Sequence, residues 1–511
     1  MQVQFNVRDF LDRATSTYPE RVAVIDEPDQ PAQPWAPLTF AELATRARAQ
    51  AAGLDRLGIA PGERVAMVSH NSARLLTSFF GVSGWGRILV PINFRLAKAE
   101  VEYILEHSGA SVLLVDPELD EALAGIGPSH RYVLGTDSDA ELYVPDTEPA
   151  AWASDESATA TINYTSGTTA RPKGVQLTHR NCWVNATVFG WHTGVSDRDV
   201  YLHTLPMFHA NGWGMPWTTA AMGVTQVALR KVDGAEILRR VQRHGVTLLC
   251  AAPAVVNAVL EAVPDWDGEL PGRGTTRIVV AGAPPPSKTI ERIEAELGWE
   301  FIQIYGLTET SPVLTVNRAR AEWDDLPADQ RARKLMRAGA PAVGTELRVD
   351  EHGEVLARSN TVMEGYWHQP EASAAALADG WFHTGDGGML DEEGHLSILD
   401  RKKDVIITGG ENVSSIEVED AIFSLDGVLE VAVIGVPHEK WGEMVLALVV
   451  PIEDSGLTED HVIAHCRVVL AGYKCPKQVE LRDELPRTAT GKLQKFRLRA
   501  PYWEGLDRQV N

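Results

Sequence analysis

Short apolar runs alternate with amphipathic helical stretches through the first 310 residues of this 511-residue chain. Apolar runs of strand length are typical of parallel strands that are buried on both faces. Thr39 and Glu42 form a capping box that predicts a helix running to Leu57. The alternation therefore predicts an α/β fold, with a large N-terminal domain of parallel α/β layers. The candidate strands are residues 64–69, 88–92, 111–115, 161–164, 246–252, 277–281 and 301–304.

The character of the sequence changes twice after this region. Residues 344–400 contain short strands and many turns, which predict a small β-rich subdomain. After Asp400, a helix opened by Ser414 begins a new unit of two strands and a second helix. We therefore expect two domains, residues 1–400 and residues 401–511, of which the second is a small α+β domain.

The composition excludes several classes of protein. The formal net charge of −23 and a pI near 5.1 argue against non-specific binding to nucleic acid or to anionic membranes. No apolar run approaches the length of a transmembrane helix, and the N-terminus lacks the apolar core of a signal peptide. The four cysteines lack metal-binding spacing, so we expect reduced thiols in a cytoplasmic protein. Residues 465–500 carry nine Lys or Arg against three acids, which favours a polyphosphate ligand there.

Three polar loops follow candidate strands. Residues 164–174, Y-T-S-G-T-T-A-R-P-K-G, combine four hydroxyls around a glycine with Lys173, the donors and the cation that a phosphate group needs. A Walker A loop is excluded, because Ser or Thr does not follow the lysine. The other loops are A-G-A-P-P-P at 281–286 and Y-G-L-T-E at 305–309. Because ligands of open α/β sheets bind at the carboxyl ends of strands, these loops predict one shared crevice.

Five motifs in this order resemble the adenylate-forming superfamily, which includes acyl-CoA synthetases, firefly luciferase and the adenylation domains of peptide synthetases. They are T-S-G-T-T-x-x-P-K-G, Y-G-x-T-E, T-G-D, D-R-x-K-D-x-I-x-x-G-G-E-N-V and P-R-T-x-x-G-K, and the likeness spans nearly the whole chain. L-P-M-F-H-A-N-G-W at 205–213 and G-G-E-N-V at 409–413 are similar to the acyl-CoA synthetase branch. No carrier-protein domain follows Lys492 in this sequence, so free coenzyme A is the expected thiol acceptor.

The resemblance implies a two-step reaction. A carboxylic acid and ATP give an acyl-AMP and pyrophosphate, and the thiol of coenzyme A then displaces AMP. Glu309 is implied as the ligand of Mg²⁺, and Thr308 as a contact of the α-phosphate. The residues implied to hold the β- and γ-phosphates are Thr165, Ser166, Gly167, Thr168, Thr169 and Lys173. Those implied around adenine and ribose are Gly282, Ala283, Pro284, Tyr305, Gly306, Asp386 and Arg401.

The remaining implied roles concern the acid and the second step. Lys492 is implied to place its ammonium between the carboxylate and the α-phosphate oxygens. The C-terminal domain is expected to be mobile and to rotate about Lys403, so that Gly409, Gly410 and Trp441 come to line the pantetheine path. The residues expected near the acyl group are His209, Trp213, Ala283 and Val313. The small residues Ala210, Gly212 and Gly214 suggest room for a bulky apolar acid.

Two departures from the family pattern leave alternatives open. Ala170 stands where the family has a second glycine, and a Cβ at a position of positive φ costs about 1 kcal/mol or more. Residues 344–359 are also shorter than in the family. One alternative is therefore a protein that performs only the thioester step on a supplied acyl-AMP. A standalone peptide-synthetase-like adenylation enzyme and a non-catalytic nucleotide-binding scaffold are two more, and the sequence leaves a homodimer open.

Overall fold

The computed structural model describes residues 1–144, 146–165, 171–401, 404–408, 411–438, 440–487 and 493–504. The helices are α1 (Asp9–Thr17), α2 (Phe40–Arg56), α3 (Ala73–Gly81), α4 (Lys98–Ser108), α5 (Thr136–Leu142), α6 (His179–Thr193), α7 (Met215–Ala221), α8 (Gly234–His244), α9 (Pro253–Ala262), α10 (Ser287–Arg292), α11 (Ala328–Leu335), α12 (Pro370–Ala376), α13 (Ser415–Phe423), α14 (Glu459–Val469) and α15 (Lys495–Arg499).

The strands alternate with these helices through most of the first 310 residues. They are β1 (Val22–Ile25), β2 (Leu38–Thr39), β3 (Arg64–Val68), β4 (Ile88–Ile92), β5 (Ala110–Val115), β6 (His130–Val133), β7 (Thr159–Thr165), β8 (Lys173–Thr178), β9 (Val200–His203), β10 (Thr225–Ala228), β11 (Leu248–Ala251), β12 (Arg277–Val280), β13 (Glu300–Gly306), β14 (Val313–Arg318), β15 (Ala340–Pro341), β16 (Thr345–Val349), β17 (Glu354–Ser359), β18 (Gly365–Tyr366), β19 (Phe382–Leu390), β20 (Leu396–Arg401), β21 (Ile406–Thr408), β22 (Glu411–Val413), β23 (Val428–His438), β24 (Gly442–Pro451) and β25 (Gln478–Leu481).

Two large sheets organise the N-terminal part. In the first, the order is β15-β14-β13-β12-β11-β9-β10-β1-β2, and the pairs from β1 through β13 along the middle of this order are parallel. In the second, the order is β18-β8-β7-β4-β3-β5-β6, with parallel pairs from β7 to β6 and antiparallel pairs at the β8 edge. The predicted parallel α/β layers are confirmed.

Two smaller sheets follow. Strands β16-β17-β19-β20 form an antiparallel sheet, which is the predicted β-rich subdomain. Strands β22-β21-β24-β23, with β25 added beside β24, form the sheet of the C-terminal α+β unit. The predicted domain boundary between residues 400 and 401 lies at the end of β20, which ends at Arg401. This division into two domains remains a proposal.

The core of the first sheet shows why its strands have no polar alternation. On β12, Ile278 and Val280 pack on one face, while Val279 packs on the other. The same division occurs on β11, where Leu249 belongs to the first face and Cys250 to the second. Both faces are covered by other elements, so successive side chains are all apolar.

Local hydrogen bonds fix the ends of several helices. Thr39 and Glu42 form the predicted capping box at the start of α2, and Ser414 caps α13 by accepting from the Glu417 amide. The four cysteines are buried and are not disulfide-bonded. Among the described residues, no helix has the length and apolar composition that crossing a membrane requires.

Candidate active site

The predicted phosphate loop connects two antiparallel strands. Strand β7 ends at Thr165 and β8 begins at Lys173, and these two residues are paired. The predicted phosphate contacts between them, Ser166, Gly167, Thr168 and Thr169, lie outside the described residues, as does Ala170. The structure therefore describes the two ends of this loop, where Thr165 carries one predicted hydroxyl contact and Lys173 is the predicted cation.

Tyr366 connects that cation with the predicted magnesium ligand. The Lys173 Nζ lies 4.6 Å from the centre of the Tyr366 ring. The Tyr366 hydroxyl donates a 3.0 Å hydrogen bond to Oε1 of Glu309. Burial, and then the Glu309 carboxylate, raise the pKa of this hydroxyl, so it stays protonated and remains a donor. A lysine, a tyrosine and a carboxylate thus form one cluster beside the phosphate loop.

Asp386 is the centre of a second cluster. The Tyr305 hydroxyl donates a 2.7 Å hydrogen bond to Oδ2 of Asp386, and Nε of Arg401 lies 3.0 Å from Oδ1. Asp386 and Arg401 are directly paired across β19 and β20, and Asp386 is only 5% exposed. Burial, and then the Asp386 carboxylate, raise the pKa of the Tyr305 hydroxyl. Arg401 and the tyrosine therefore stabilise an ionised carboxylate, which is a good acceptor for sugar hydroxyls.

Arg401 connects the two clusters electrostatically. Although burial by itself lowers the pKa of Arg401, the carboxylates of Asp386 and Glu309 are among the groups that raise it overall. The same guanidinium lowers the pKa of the Tyr366 hydroxyl, although burial and Glu309 raise that pKa by more. The residues predicted for ribose and for magnesium therefore share one charged neighbourhood.

The predicted adenine residues lie next to these groups. Strands β12 and β13 are parallel neighbours with Val280 opposite Gln303, so the loop after β12 lies beside the carboxyl end of β13. In that loop Gly282 has a φ of 96° and is exposed, as is Ala283, while Pro284 is half-buried. Exposed small residues in this loop leave its backbone accessible to a planar base.

The predicted acyl residues fall into two environments. Trp213 and Val313 are 4% and 2% exposed and belong to one hydrophobic cluster that also contains Ala281. His209 is half-buried just before the loop that carries Trp213, and its backbone amide donates to the carbonyl of Pro206. His209 therefore directly precedes, in the sequence, a residue of this apolar cluster, Ala210.

Of the residues predicted for the second step, the structure describes Trp441, which lies at the C-terminal sheet. Trp441 stacks on His438 with ring centres 4.3 Å apart, between β23 and β24. Thr408, at the end of β21, pairs with Gly442, so Trp441 lies beside the strand that leads to Gly409. Gly409, Gly410, Lys403 and Lys492 lie outside the described residues. In the sequence, Lys492 lies between Arg487 and Leu493, and these two residues form an isolated antiparallel bridge.

The sequence matches two parts of a known enzyme family. Residues 11–367 match the AMP-binding enzyme family, and residues 417–492 match the AMP-binding enzyme C-terminal domain. This chain belongs to the AMP-binding enzyme family.

Curated relatives of this AMP-binding enzyme align over nearly its whole length. It is 36% identical to 4-hydroxybutyrate–CoA ligase 2 of Metallosphaera sedula, covering 96% of this chain and 93% of the relative. It is 37% identical to 2-methylpropanoate–CoA ligase CCL4 of Humulus lupulus, covering 96% and 94%. The structure is similar to that of the anthranilate CoA ligase AuaEII in complex with anthranoyl-AMP, with a TM-score of 0.87, 27% identity and 98% coverage of both chains.

These matches confirm four predictions from the sequence. They confirm the superfamily and the fold class. They also confirm the enzyme class, an AMP-forming acid–thiol ligase, and the use of ATP and coenzyme A that belongs to this class.

Two further residues of this AMP-binding enzyme were not found from the sequence. Tyr366 contacts Glu309, which is 57 positions away, and Asn185 contacts both Trp213 and Val313. Neither residue lies in a recognisable motif. Tyr366 lies on β18 and Asn185 on α6, and the fold brings each of them to partners that are distant in the sequence.

A buried ion-pair network of the enzyme was also missed. The Lys495 ammonium lies 3.2 Å from Oδ2 of Asp400 and 2.8 Å from Oε1 of Glu419. Nearby, Arg499 forms an ion pair with Asp404. Both pairs join α15, just after the segment containing Lys492, to the chain on either side of the predicted hinge.

Proposed function

We propose that this enzyme joins a carboxylic acid to coenzyme A through an acyl-adenylate, using the residues of the two clusters around Arg401. The observation that carries the proposal is the shared neighbourhood of Glu309, Asp386 and Arg401, with Tyr305 and Tyr366 as hydroxyl donors. An adenine nucleotide whose ribose meets Asp386 would place its phosphates toward Glu309 and Lys173. This order matches the order of groups in ATP.

In the first step, a carboxylate oxygen of the acid attacks the α-phosphorus of ATP. A bond forms between these atoms, the bond from the α-phosphorus to the bridging oxygen breaks, and pyrophosphate leaves. We assign Lys173 and the hydroxyls of residues 165–169 to the leaving pyrophosphate, and Thr308 and Lys492 to the oxygens around the α-phosphorus. These donors and cations offset the repulsion between two anions.

Magnesium fits the carboxylate of Glu309. Mg²⁺ prefers oxygen ligands and commonly bridges one or two carboxylates and substrate phosphates. Tyr366 donates to Oε1, and we assign Oε2 of Glu309 to the cation. The bound ion would neutralise charge on the phosphate oxygens, and Tyr366 would keep the carboxylate in one orientation.

In the second step, the thiol of coenzyme A attacks the acyl carbon and AMP leaves with the electron pair of the broken bond. We assign Gly409, Gly410 and Trp441 to the pantetheine path, with Lys403 as the hinge. The stacking of Trp441 on His438 supports this role, because it holds the indole beside the strand that leads to Gly409.

The acid is best described by class. Relatives of this chain are named for 4-hydroxybutyrate, 2-methylpropanoate, acetate or butyrate, and trans-cinnamate, which are all organic carboxylic acids. A cytoplasmic location and a homodimer remain predictions, and some of the plant relatives are named as peroxisomal.

Substitution of Lys492 by Ala separates this proposal from the thioester-only alternative. We expect Lys492→Ala to abolish acid-dependent exchange of pyrophosphate into ATP, with a much smaller effect on thioester formation from a supplied acyl-AMP. An equal loss in both half-reactions would contradict the role of Lys492. If the unsubstituted enzyme makes thioester only from supplied acyl-AMP, the thioester-only alternative is correct and Ala170→Gly should restore exchange.

Transfer to free coenzyme A tests the remaining alternatives. A standalone peptide-synthetase-like enzyme would form the adenylate without releasing a coenzyme A thioester. A non-catalytic scaffold would bind ATP and catalyse neither half-reaction. Pyrophosphate exchange without coenzyme A, combined with mass detection of the thioester in its presence, distinguishes these outcomes.

A further inference from the structure

The turn between β19 and β20 brings together three side chains of the types that bind metal ions. Asp391 follows the last residue of β19, His395 precedes the first residue of β20, and Glu393 lies between them. One possible ligand atom from each side chain lies within 4.8 Å of the other two. Among the residues that the structure describes, this is the only group of three or more such side chains with this spacing.

His395 directs an unpaired nitrogen toward the two carboxylates. Its side chain is 2% exposed, and its Nδ1 atom is buried without a hydrogen-bond partner in the described part of the chain. Nδ1 lies 3.7 Å from Oε2 of Glu393 and 3.9 Å from Oδ1 of Asp391, and both distances are too long for a hydrogen bond. A buried polar atom without a partner costs free energy. A cation between the nitrogen and the two oxygens removes this cost.

The separations suit the coordination of a metal ion. In a tetrahedral site with bonds of about 2.1 Å to nitrogen and oxygen, neighbouring ligand atoms are about 3.4 Å apart. The two distances from Nδ1 exceed this value by a few tenths of an ångström, and the partly exposed carboxylates can rotate by that amount. Burial, and then Arg337, lower the pKa of His395, so the imidazole is neutral at pH 7 and can offer a lone pair.

Two cations hold the other oxygens of the carboxylates. Arg337 forms an ion pair with Oδ2 of Asp391, and Nζ of Lys334 lies 3.6 Å from Oε1 of Glu393. Nη1 of Arg337 also lies 3.5 Å from Oε2 of Glu393. Such partners orient metal-binding carboxylates, but here they also offset the negative charge of the turn. Mg²⁺ and Ca²⁺ bind through charge and oxygen ligands, so this turn favours a cation that also gains from an imidazole nitrogen.

We propose that Asp391, Glu393 and His395 form a structural site for Zn²⁺. Oδ1 of Asp391, Oε2 of Glu393 and Nδ1 of His395 are the ligands, and a water molecule completes the coordination. Zinc is the ion of choice because it accepts nitrogen and oxygen ligands together and has no geometric preference of its own. This inference goes beyond the proposed function and does not depend on it.

The ion fastens the hairpin that carries the ribose cluster. Leu390 pairs with Leu396 next to the turn, and Asp386 pairs with Arg401 farther along the same two strands. Leu396 also forms an isolated bridge with Gly339, which attaches this end of the hairpin to the segment that follows α11. Zinc at the turn therefore stabilises the hairpin without contacting the predicted nucleotide residues.

Zinc titration of the full chain tests the site directly. The enzyme is treated with a chelator, dialysed, and titrated with Zn²⁺ by calorimetry in the absence of ATP, and the bound metal is counted by mass spectrometry. We expect one zinc ion per chain and a higher Tm in the presence of zinc. Glu393→Gln and His395→Gln should each weaken zinc binding at least about tenfold, because even indirect partners of a metal ion contribute about 10- to 100-fold.

A matched histidine provides the control. Nε2 of His352 also lies 3.7 Å from a carboxylate oxygen, Oε1 of Glu351, but these side chains are 68% and 88% exposed. His352→Gln should therefore bind zinc as the unsubstituted enzyme does. Glu393 is 47% exposed, so Glu393→Gln covers the case in which loss of the buried His395 prevents folding.

The inference is wrong if the chelator-treated enzyme binds no zinc. It is also wrong if Glu393→Gln and His395→Gln keep the unsubstituted affinity, because the bound ion is then adventitious. A purely structural role for His395 would lower the Tm of His395→Gln and leave the zinc-dependent rise in Tm as large as before. None of these measurements uses the acid, ATP or coenzyme A, so failure of the proposed function would leave the zinc result unchanged.

Discussion

Lys495 should contribute strongly to the stability of the C-terminal unit. Its side chain is 13% exposed and contacts carboxylates of Asp400 and Glu419 that are 10% and 18% exposed. Burial by itself lowers the pKa of Lys495, but the two carboxylates raise it overall, so the ammonium is charged at neutral pH. Lys495→Met retains the apolar stem and leaves two buried carboxylates without their cation. Breaking a buried ion pair in this way costs about 3–5 kcal/mol.

Urea unfolding of the full chain, followed by tryptophan fluorescence, measures this loss. The matched control is Lys474→Met, because Lys474 pairs with Glu417 in the same unit and that carboxylate is 45% exposed. An exposed pair is worth about 0–1 kcal/mol, so the control should be nearly neutral. In a double-mutant cycle, Asp400→Asn should be coupled to Lys495→Met by more than about 1 kcal/mol. The reasoning is refuted if Lys495→Met costs no more than Lys474→Met.

Three further predictions concern the active site and the response to pH. Tyr366→Phe removes a hydrogen bond to a charged group, worth about 1.5–3 kcal/mol, so pyrophosphate exchange at limiting Mg²⁺ should fall about ten- to a hundredfold, whereas Tyr473→Phe, a change at an exposed tyrosine, should have no effect. Asp386→Asn should raise the KM for ATP at least about tenfold in the same assay, and an unchanged KM would remove its ribose role. Burial lowers the pKa of His179 from 6.5 to about 4, so the unfolded chain binds a proton before the folded chain does as the pH falls. The free energy of unfolding should therefore decrease by about 3 kcal/mol as the pH falls from 6.5 to 4. Urea unfolding of His179→Gln should lack this pH-dependent decrease.

Elements defined by local contacts were predictable from the sequence. The capping pairs at Thr39 and Ser414 act over three residues, and both occur in the structure. Apolar runs without alternation correctly indicated buried parallel strands, because each face of the first sheet is covered. The loops after β7, β12 and β13 were located for the same reason, since a strand end is defined by its own sequence.

The missed features depend on contacts between distant parts of the chain. Lys495 is 95 positions from Asp400, and a lysine in a basic segment gives no sign that it is buried. Trp213 adopts a left-handed backbone that bulky residues rarely adopt, and its sequence neighbours give no sign of this conformation. Hydrogen bonds from Asn185 and Asn211, which lie on or bond to distant elements, hold that conformation.

The most direct test of the account is acid-dependent exchange of labelled pyrophosphate into ATP by the unsubstituted enzyme without coenzyme A. Because the residues proposed for adenylate formation do not include the pantetheine path, exchange should require a carboxylic acid and Mg²⁺ but no coenzyme A. Addition of coenzyme A should then convert the adenylate into a thioester and release AMP. Thioester formation from supplied acyl-AMP, with no exchange for any carboxylic acid tested, would contradict the claim that this site makes the adenylate.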